Sequence, residues 1–148
     1  MFRPYPQSFF SSGLTVSLCG LISLNLLGCA PSKTAQCQKL ITETQNLAKA
    51  AQENRQNVDP QKILAFAQTF EDTAKKIQGM SFNDPQLQTY QQALAAIYQS
   101  NAEATRNIVS AIQTKDITTA KMAQAQVKET GQKEQTVINQ MNQYCQAD

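Results

Sequence analysis

Histidine and tryptophan are absent from this chain. Without histidine it lacks the commonest general base, the commonest metal ligand and the usual partner of a serine or cysteine nucleophile. Glycine is scarce, with five residues in 148. No P-loop, dinucleotide-binding glycine pattern, nucleophile elbow or HExxH motif occurs. Together these absences argue against an enzyme. Basic tracts are missing as well, and nucleic-acid binding leans on a concentrated basic surface, so no nucleic-acid partner is expected. Alternating strand patterns are nearly absent. No apolar run reaches the roughly 20 residues that a membrane-spanning helix needs.

The longest leucine-rich, uncharged run covers residues 14–27, and residues 1–12 before it carry a single charged side chain, Arg3. A run of this length suits the apolar region of a secretory signal peptide, about 7–15 residues, better than an anchor helix. It ends in Leu26-Leu27-Gly28-Cys29. This tetrapeptide resembles the lipobox of bacterial lipoproteins: an aliphatic residue, a free position, a small residue, then the cysteine that is lipidated. The resemblance implies that residues 1–28 are removed and that Cys29 becomes a lipid-bearing N-terminus. It also implies an exported chain held on a bacterial membrane, facing the periplasm, a lumen or the cell surface. Acyl chains contribute about 0.8 kcal/mol per buried CH₂, so two or three give stable anchoring without a span. The alternative is an ordinary signal peptide or an uncleaved anchor, with Cys29 a bystander.

The leader changes the cysteine count. Cys19 leaves with it and Cys29 is blocked by its thioether, so Cys37 and Cys145 remain. Export places them in an oxidising compartment, where two free thiols are expected to join. An even-numbered up-and-down bundle brings its first and last helices to the same end, where these two residues would meet. The closed loop of about 100 residues is worth on the order of 4–5 kcal/mol in the chain-entropy model. Unpaired buried thiols or metal ligation are the alternatives. Two cysteines without histidine make a poor zinc site, so no metal and no cofactor are expected.

Without Arg3 the remaining segment has 12 basic and 11 acidic side chains and is near neutral. It is one domain in size, with residues 29–33 as a lipidated tether and 34–148 as the folded part. Its 22 glutamines, counted over the whole chain, are interleaved with a regular apolar stripe and read as a neutral solvated face. Four helices are expected. The first covers about 34–55, with Cys37, Leu40, Ile41, Thr44, Leu47, Ala48 and Ala51 on one stripe. Asn57-Val58-Asp59-Pro60 ends it and starts the second, 60–78, with Ile63, Phe66, Ala67, Phe70, Ala74 and Ile77 inward and Gly79 at its C-cap. Asn83-Asp84-Pro85 repeats the start. The third helix runs to about 113 through Leu87, Tyr90, Leu94, Ile97, Asn101, Ala104 and Ile108. Asp116 caps the fourth, which carries Ala120, Ala123, Val127, Thr130, Val137, Met141 and Tyr144, with Gly131 inside it. Glu71–Lys75, Asp72–Lys76, Glu103–Arg106 and Glu129–Lys133 have the spacing of ion pairs on a wet helix face. Short loops favour antiparallel neighbours, so the fold class is all-α, a four-helix up-down-up-down bundle.

Few residues stand out as sites. Asn101 and Thr105 on the third helix, with Thr130 and Glu134 on the fourth, fall at similar height when those helices pair. They form a candidate polar interior layer that holds a small polar ligand or sets register. The plainer reading turns Glu134 outward and leaves Asn101 and Thr105 bonded to backbone. The aromatics Phe66, Phe70, Phe82, Tyr90, Tyr98 and Tyr144 read as core rather than groove. Phe82 lies in the loop after Gly79, either as a plug before the third helix or as a partner contact. The whole is similar in architecture to the lipidated four-helix extrinsic subunits of cyanobacterial photosystem II, the PsbQ-like proteins. That likeness is one of fold and carries no functional residue across. The leading expectation is a non-enzymatic accessory protein, anchored by lipid and docking on a membrane or envelope protein complex. The alternative is a small-ligand carrier or sensor that binds between helices near Asn101 and Glu134.

Overall fold

Three aspartates set where three of the four helices begin. The computed structural model describes residues 31–54 and 56–147. The expected leader, the expected lipidation position Cys29, and Arg55 and Asp148 lie outside the described residues. The helices are α1 (Lys33–Asn54), α2 (Pro60–Gln78), α3 (Pro85–Thr114) and α4 (Ile117–Gln146), and no strand occurs among the described residues. Asp59 accepts the Gln61 amide N–H at 2.9 Å, and Asp84 accepts those of Gln86 and Leu87 at 2.9 and 3.0 Å. Asp116 accepts the Thr119 amide at 3.0 Å and its hydroxyl at 2.7 Å. Each cap satisfies backbone donors that a helix start leaves open, worth about 1 kcal/mol. Pro60 and Pro85 occupy first-turn positions, where a missing N–H removes nothing.

The helix ends differ from the expected chemistry. Gly79 is the C-cap of α2 but keeps a right-handed conformation, φ −76°; its N–H reaches back to the Lys75 carbonyl at 3.0 Å and the Met80 N–H to that of Ile77 at 3.1 Å. The left-handed cap is instead Lys115, at φ 58°, in the two-residue turn between α3 and α4. A turn that short reverses the chain only with a left-handed residue, and no glycine stands there.

The four helices form the up-down-up-down bundle, with α3 as its spine. α2 and α4 flank α3 along most of their length and do not approach each other. α1 fills the fourth corner, held chiefly by α2. Tyr98, Leu40, Ile77, Leu87, Leu94 and Met141 are the largest fully buried side chains, and the aromatics join this core. Phe66 stacks on Phe70 at 4.7 Å and Phe70 on Tyr98 at 6.1 Å between ring centroids. The Cys37–Cys145 disulfide fastens the start of α1 to the end of α4, with 5.9 Å between the Cα atoms. Away from it the α1–α4 seam is loose. No residue of α1 beyond Leu47 is buried.

Two expectations about polar side chains change. Gln36 and Gln91 are buried and not part of a solvated face. The Gln91 side-chain amide donates to the Ile77 and Met80 carbonyls at 2.7 Å, and the Gln36 side chain accepts the Asn83 amide at 2.7 Å. Both clamp the α2–α3 loop, whose freed backbone groups need partners once covered. The pairs Asp72–Lys76 and Glu103–Arg106 do not form. Lys76 crosses to Glu43 on α1 at 2.7 Å, and Arg106 crosses to Glu71 on α2. These carboxylates are partly shielded, so the pull on a long cation exceeds that of a fully wet neighbour on its own helix. Glu71–Lys75 and Glu129–Lys133 form as spaced, at 2.6 and 2.7 Å.

Candidate functional site

The four residues expected as one polar layer separate into two places. Asn101 and Thr130 are both buried at the α3–α4 interface, and the Thr130 hydroxyl is hydrogen-bonded to the Asn101 side-chain oxygen. The same hydroxyl lies 2.9 Å from the Gln126 carbonyl and 3.0 Å from that of Val127. Thr105 is half-buried, and its hydroxyl donates to the Asn101 backbone carbonyl at 2.7 Å. This group is internally satisfied and fixes the register of two long helices.

Glu134 is not part of it. One turn further along α4, it stands half-buried in the wall of a groove between α1 and α4. The groove holds about 540 Å³ and is lined by Ala48, Ala51 and Gln52 of α1 and by Gly131, Glu134, Gln135 and Ile138 of α4. It exists because the facing residues are small. A Cβ built on Gly131 meets nothing within 4 Å. Burial pushes the Glu134 carboxyl above its ordinary pKa, and the Tyr98 hydroxyl opposes that in part. Tyr98 lies beneath, fully buried, and its hydroxyl makes no well-formed hydrogen bond. Burial and then the Glu134 charge push that phenol far above its usual value. Among the described residues no Lys or Arg pairs with Glu134, unlike Glu43, Glu71 and Glu129.

Phe82 is only 5% exposed and sits in the core cluster. It is the plug before α3. As a partner contact it presents almost no surface, because Gln88 holds the Phe82 carbonyl at 2.7 Å and the loop folds the ring inward. The surrounding end of the bundle is tightly knit. The Tyr144 hydroxyl donates to Asp84 at 2.6 Å, holding that carboxyl below its ordinary range, and Tyr90 meets the Tyr144 ring edge-on at 6.0 Å. Lys33 lies over the Tyr144 ring at 4.4 Å and donates to the Ala147 carbonyl.

The opposite end carries a surface that the sequence patterns did not flag. α1 is 22 residues long against 30 in α4 and is pinned to it at Cys37–Cys145, so it ends short of the first turns of α4, which rest on α3. There Ile112, Ile117 and Met122 are 62%, 69% and 69% exposed. With Ile108, Ala111 and Ala120 nearby, a groove of about 500 Å³ opens on the hairpin tip. Val58, in the α1–α2 loop at the same end, is 89% exposed. The available signal was that Ile112, Ile117 and Met122 fall off the inward stripes of their helices. No helix among the described residues is long and apolar enough to cross a membrane. No protein-family model, curated protein or solved structure matches the chain.

Proposed function

We propose that this protein is a lipid-anchored, non-enzymatic accessory subunit that docks on a membrane or envelope protein complex through the tip of its α3–α4 hairpin. The carrying observation is the pair of exposed Ile112 and Ile117, which line one groove with Ile108 and Ala111 at the end of the bundle opposite the Cys37–Cys145 bond, with exposed Met122 one turn further along α4. Large aliphatic side chains gathered on a wet surface mark an interaction site more often than isolated ones do. The anchor supports the same orientation. Cys29 precedes the start of α1 at Lys33 by only a few residues, so a lipid there holds the cross-linked end at the membrane. The apolar tip then stands about 45 Å away, the length of a 30-residue helix. A partner reached in this way has a domain that projects from the membrane.

The test is mild in-cell cross-linking followed by detergent co-purification and mass spectrometry, with the lipidated chain as bait. A stoichiometric partner is expected. It should be lost when Ile112, Ile117 and Met122 are all changed to Ser, and depleted when Cys29 is changed to Ser. The Ser variants should unfold at the wild-type urea midpoint, since these side chains are exposed. A bare monomer in several detergents sinks the docking reading. A partner retained by the triple variant moves the docking surface away from the tip.

A further inference from the structure

A fold this small leaves few half-buried carboxylates without a structural duty, and Glu134 is one. It caps no helix, since it lies in the middle of α4. It joins no ion pair among the described residues. Its surroundings are otherwise built to be empty: Ala48 and Ala51 on one wall, and Gly131, with open space where a Cβ would be, on the other. Larger residues at these positions would close the α1–α4 seam as the α2–α3 and α3–α4 seams are closed.

We propose that the groove between α1 and α4 binds a small organic cation, a primary ammonium or guanidinium group on a short aliphatic body, with the Glu134 carboxylate as its counter-ion. The volume, about 540 Å³, lies within the range of small-molecule sites. Among the described residues Glu134 is the one charged side chain in its lining. An anion meets no Lys or Arg among the described lining residues and is repelled by the carboxylate. A neutral guest leaves a partly desolvated charge uncompensated, whereas a cation supplies the missing partner. The side-chain amides of Gln52 and Gln135 offer oxygens to the remaining N–H groups, and Ala48, Ala51 and Ile138 cover the aliphatic part. Beneath Glu134, the Tyr98 hydroxyl lacks a well-formed partner of its own and is placed to donate to the carboxylate once a cation holds it in one orientation. This site is separate from the docking tip, so each stands or falls without the other.

The test uses the full chain, purified in detergent, titrated with butylamine, 1,4-diaminobutane and butylguanidinium, with butanoate and butanol as controls. Binding is read by nuclear magnetic resonance at the isotope-labelled Glu carboxyl carbons. Saturable shifts with the three cations, and none with the controls, are expected. Glu134→Gln should weaken cation binding by about tenfold or more, as loss of a charge partner does. Gly131→Leu fills the groove without touching the carboxylate and should abolish binding while the helix is retained. Two results overturn the proposal. One is the absence of saturable cation binding at concentrations up to about 10 mM, the weak end of specific affinity. The other is undiminished binding in both variants.

Discussion

Reduction of the Cys37–Cys145 bond is the sharpest perturbation available. The two residues are 108 positions apart. In the chain-entropy model a loop of that size restricts the unfolded chain by about 4.7 kcal/mol at 25 °C. The native side changes little, because α1 is also held by Leu40 and Leu47, both fully or nearly fully buried. Each contributes about 1.5–3 kcal/mol of apolar burial. The reduced protein should therefore still fold, with nearly the whole loss arising in the unfolded state. Urea unfolding followed by circular dichroism, with and without reductant, separates the two states. Reduction should lower the extrapolated stability by about 3–5 kcal/mol. It should also steepen the denaturant dependence, since an open chain exposes more surface. In a thermal scan the same loss amounts to a fall of about 15–20 °C for a domain of this size. The Cys37→Ala/Cys145→Ala variant should match the reduced wild type, apart from a small packing loss at buried Cys37. A change below about 1 kcal/mol would refute the reasoning, since it would mean that α1 is not part of the cooperative unit or that the unfolded chain stays closed without the bond.

Four further outcomes can be checked with the same instruments. Thr130→Val should cost about 1–3 kcal/mol, because it leaves the buried Asn101 side-chain oxygen without its donor, whereas Asn101→Leu should cost less, since the Thr130 hydroxyl keeps the Gln126 and Val127 carbonyls, and the double variant should lose less than the sum. Glu134 has a folded pKa raised by burial, so its ionisation opposes folding, and the stability it contributes is lost as the pH rises through that folded value. Glu134→Gln should therefore be more stable than wild type at neutral pH, with the difference vanishing below the unfolded carboxyl pKa of about 4.3; a loss of stability at neutral pH would contradict this. Asp84 is shifted the other way, chiefly by the Tyr144 hydroxyl, so its stabilisation is present at neutral pH and lost as the pH falls through its folded pKa. Tyr144→Phe should weaken the protein at neutral pH and make the acid limb shallower, with the difference from wild type vanishing below the folded Asp84 pKa. Gly131→Ala should raise stability by about 0.5–1 kcal/mol, since alanine is the better helix former and nothing crowds its methyl group.

Much of the fold was legible because its punctuation is local. Asp59-Pro60, Asp84-Pro85 and Asp116 each carry their capping chemistry within a few residues, and the helix starts fall beside them. The disulfide was legible for a different reason: an even helix count and the two thiols near the ends of the bundle made Cys37 and Cys145 the natural pair. The polar side chains were harder to place. Spacing rules see only one helix, whereas Lys76 and Arg106 choose carboxylates on a neighbour. The burial of Gln36 and Gln91 depends on carbonyls and amides that the α2–α3 loop presents only after it has folded. Glu134 and Thr130 share an α4 face by spacing, yet the helix turns enough between them that one meets α3 and the other the α1 seam.

The two ends of the bundle are stabilised by different means, and this bears on both proposed roles. At the cross-linked end a covalent bond, the Tyr144–Asp84 hydrogen bond and the Gln36 clamp converge within the first turns of α1 and the last of α4. Past Leu47, α1 contributes no buried residue, so its last two turns are held by little apolar area. Local opening is easiest where few buried contacts must break. The seam beside Glu134, past Leu47, should therefore open more easily than the cross-linked end. A ligand there would draw α1 towards α4 while leaving the α3–α4 hairpin undisturbed, because α3 packs on α4 along most of its length and α1 stops short of the tip. A guest in the seam and a partner on the tip can thus be bound together, and the geometry offers no direct route for either to exclude the other.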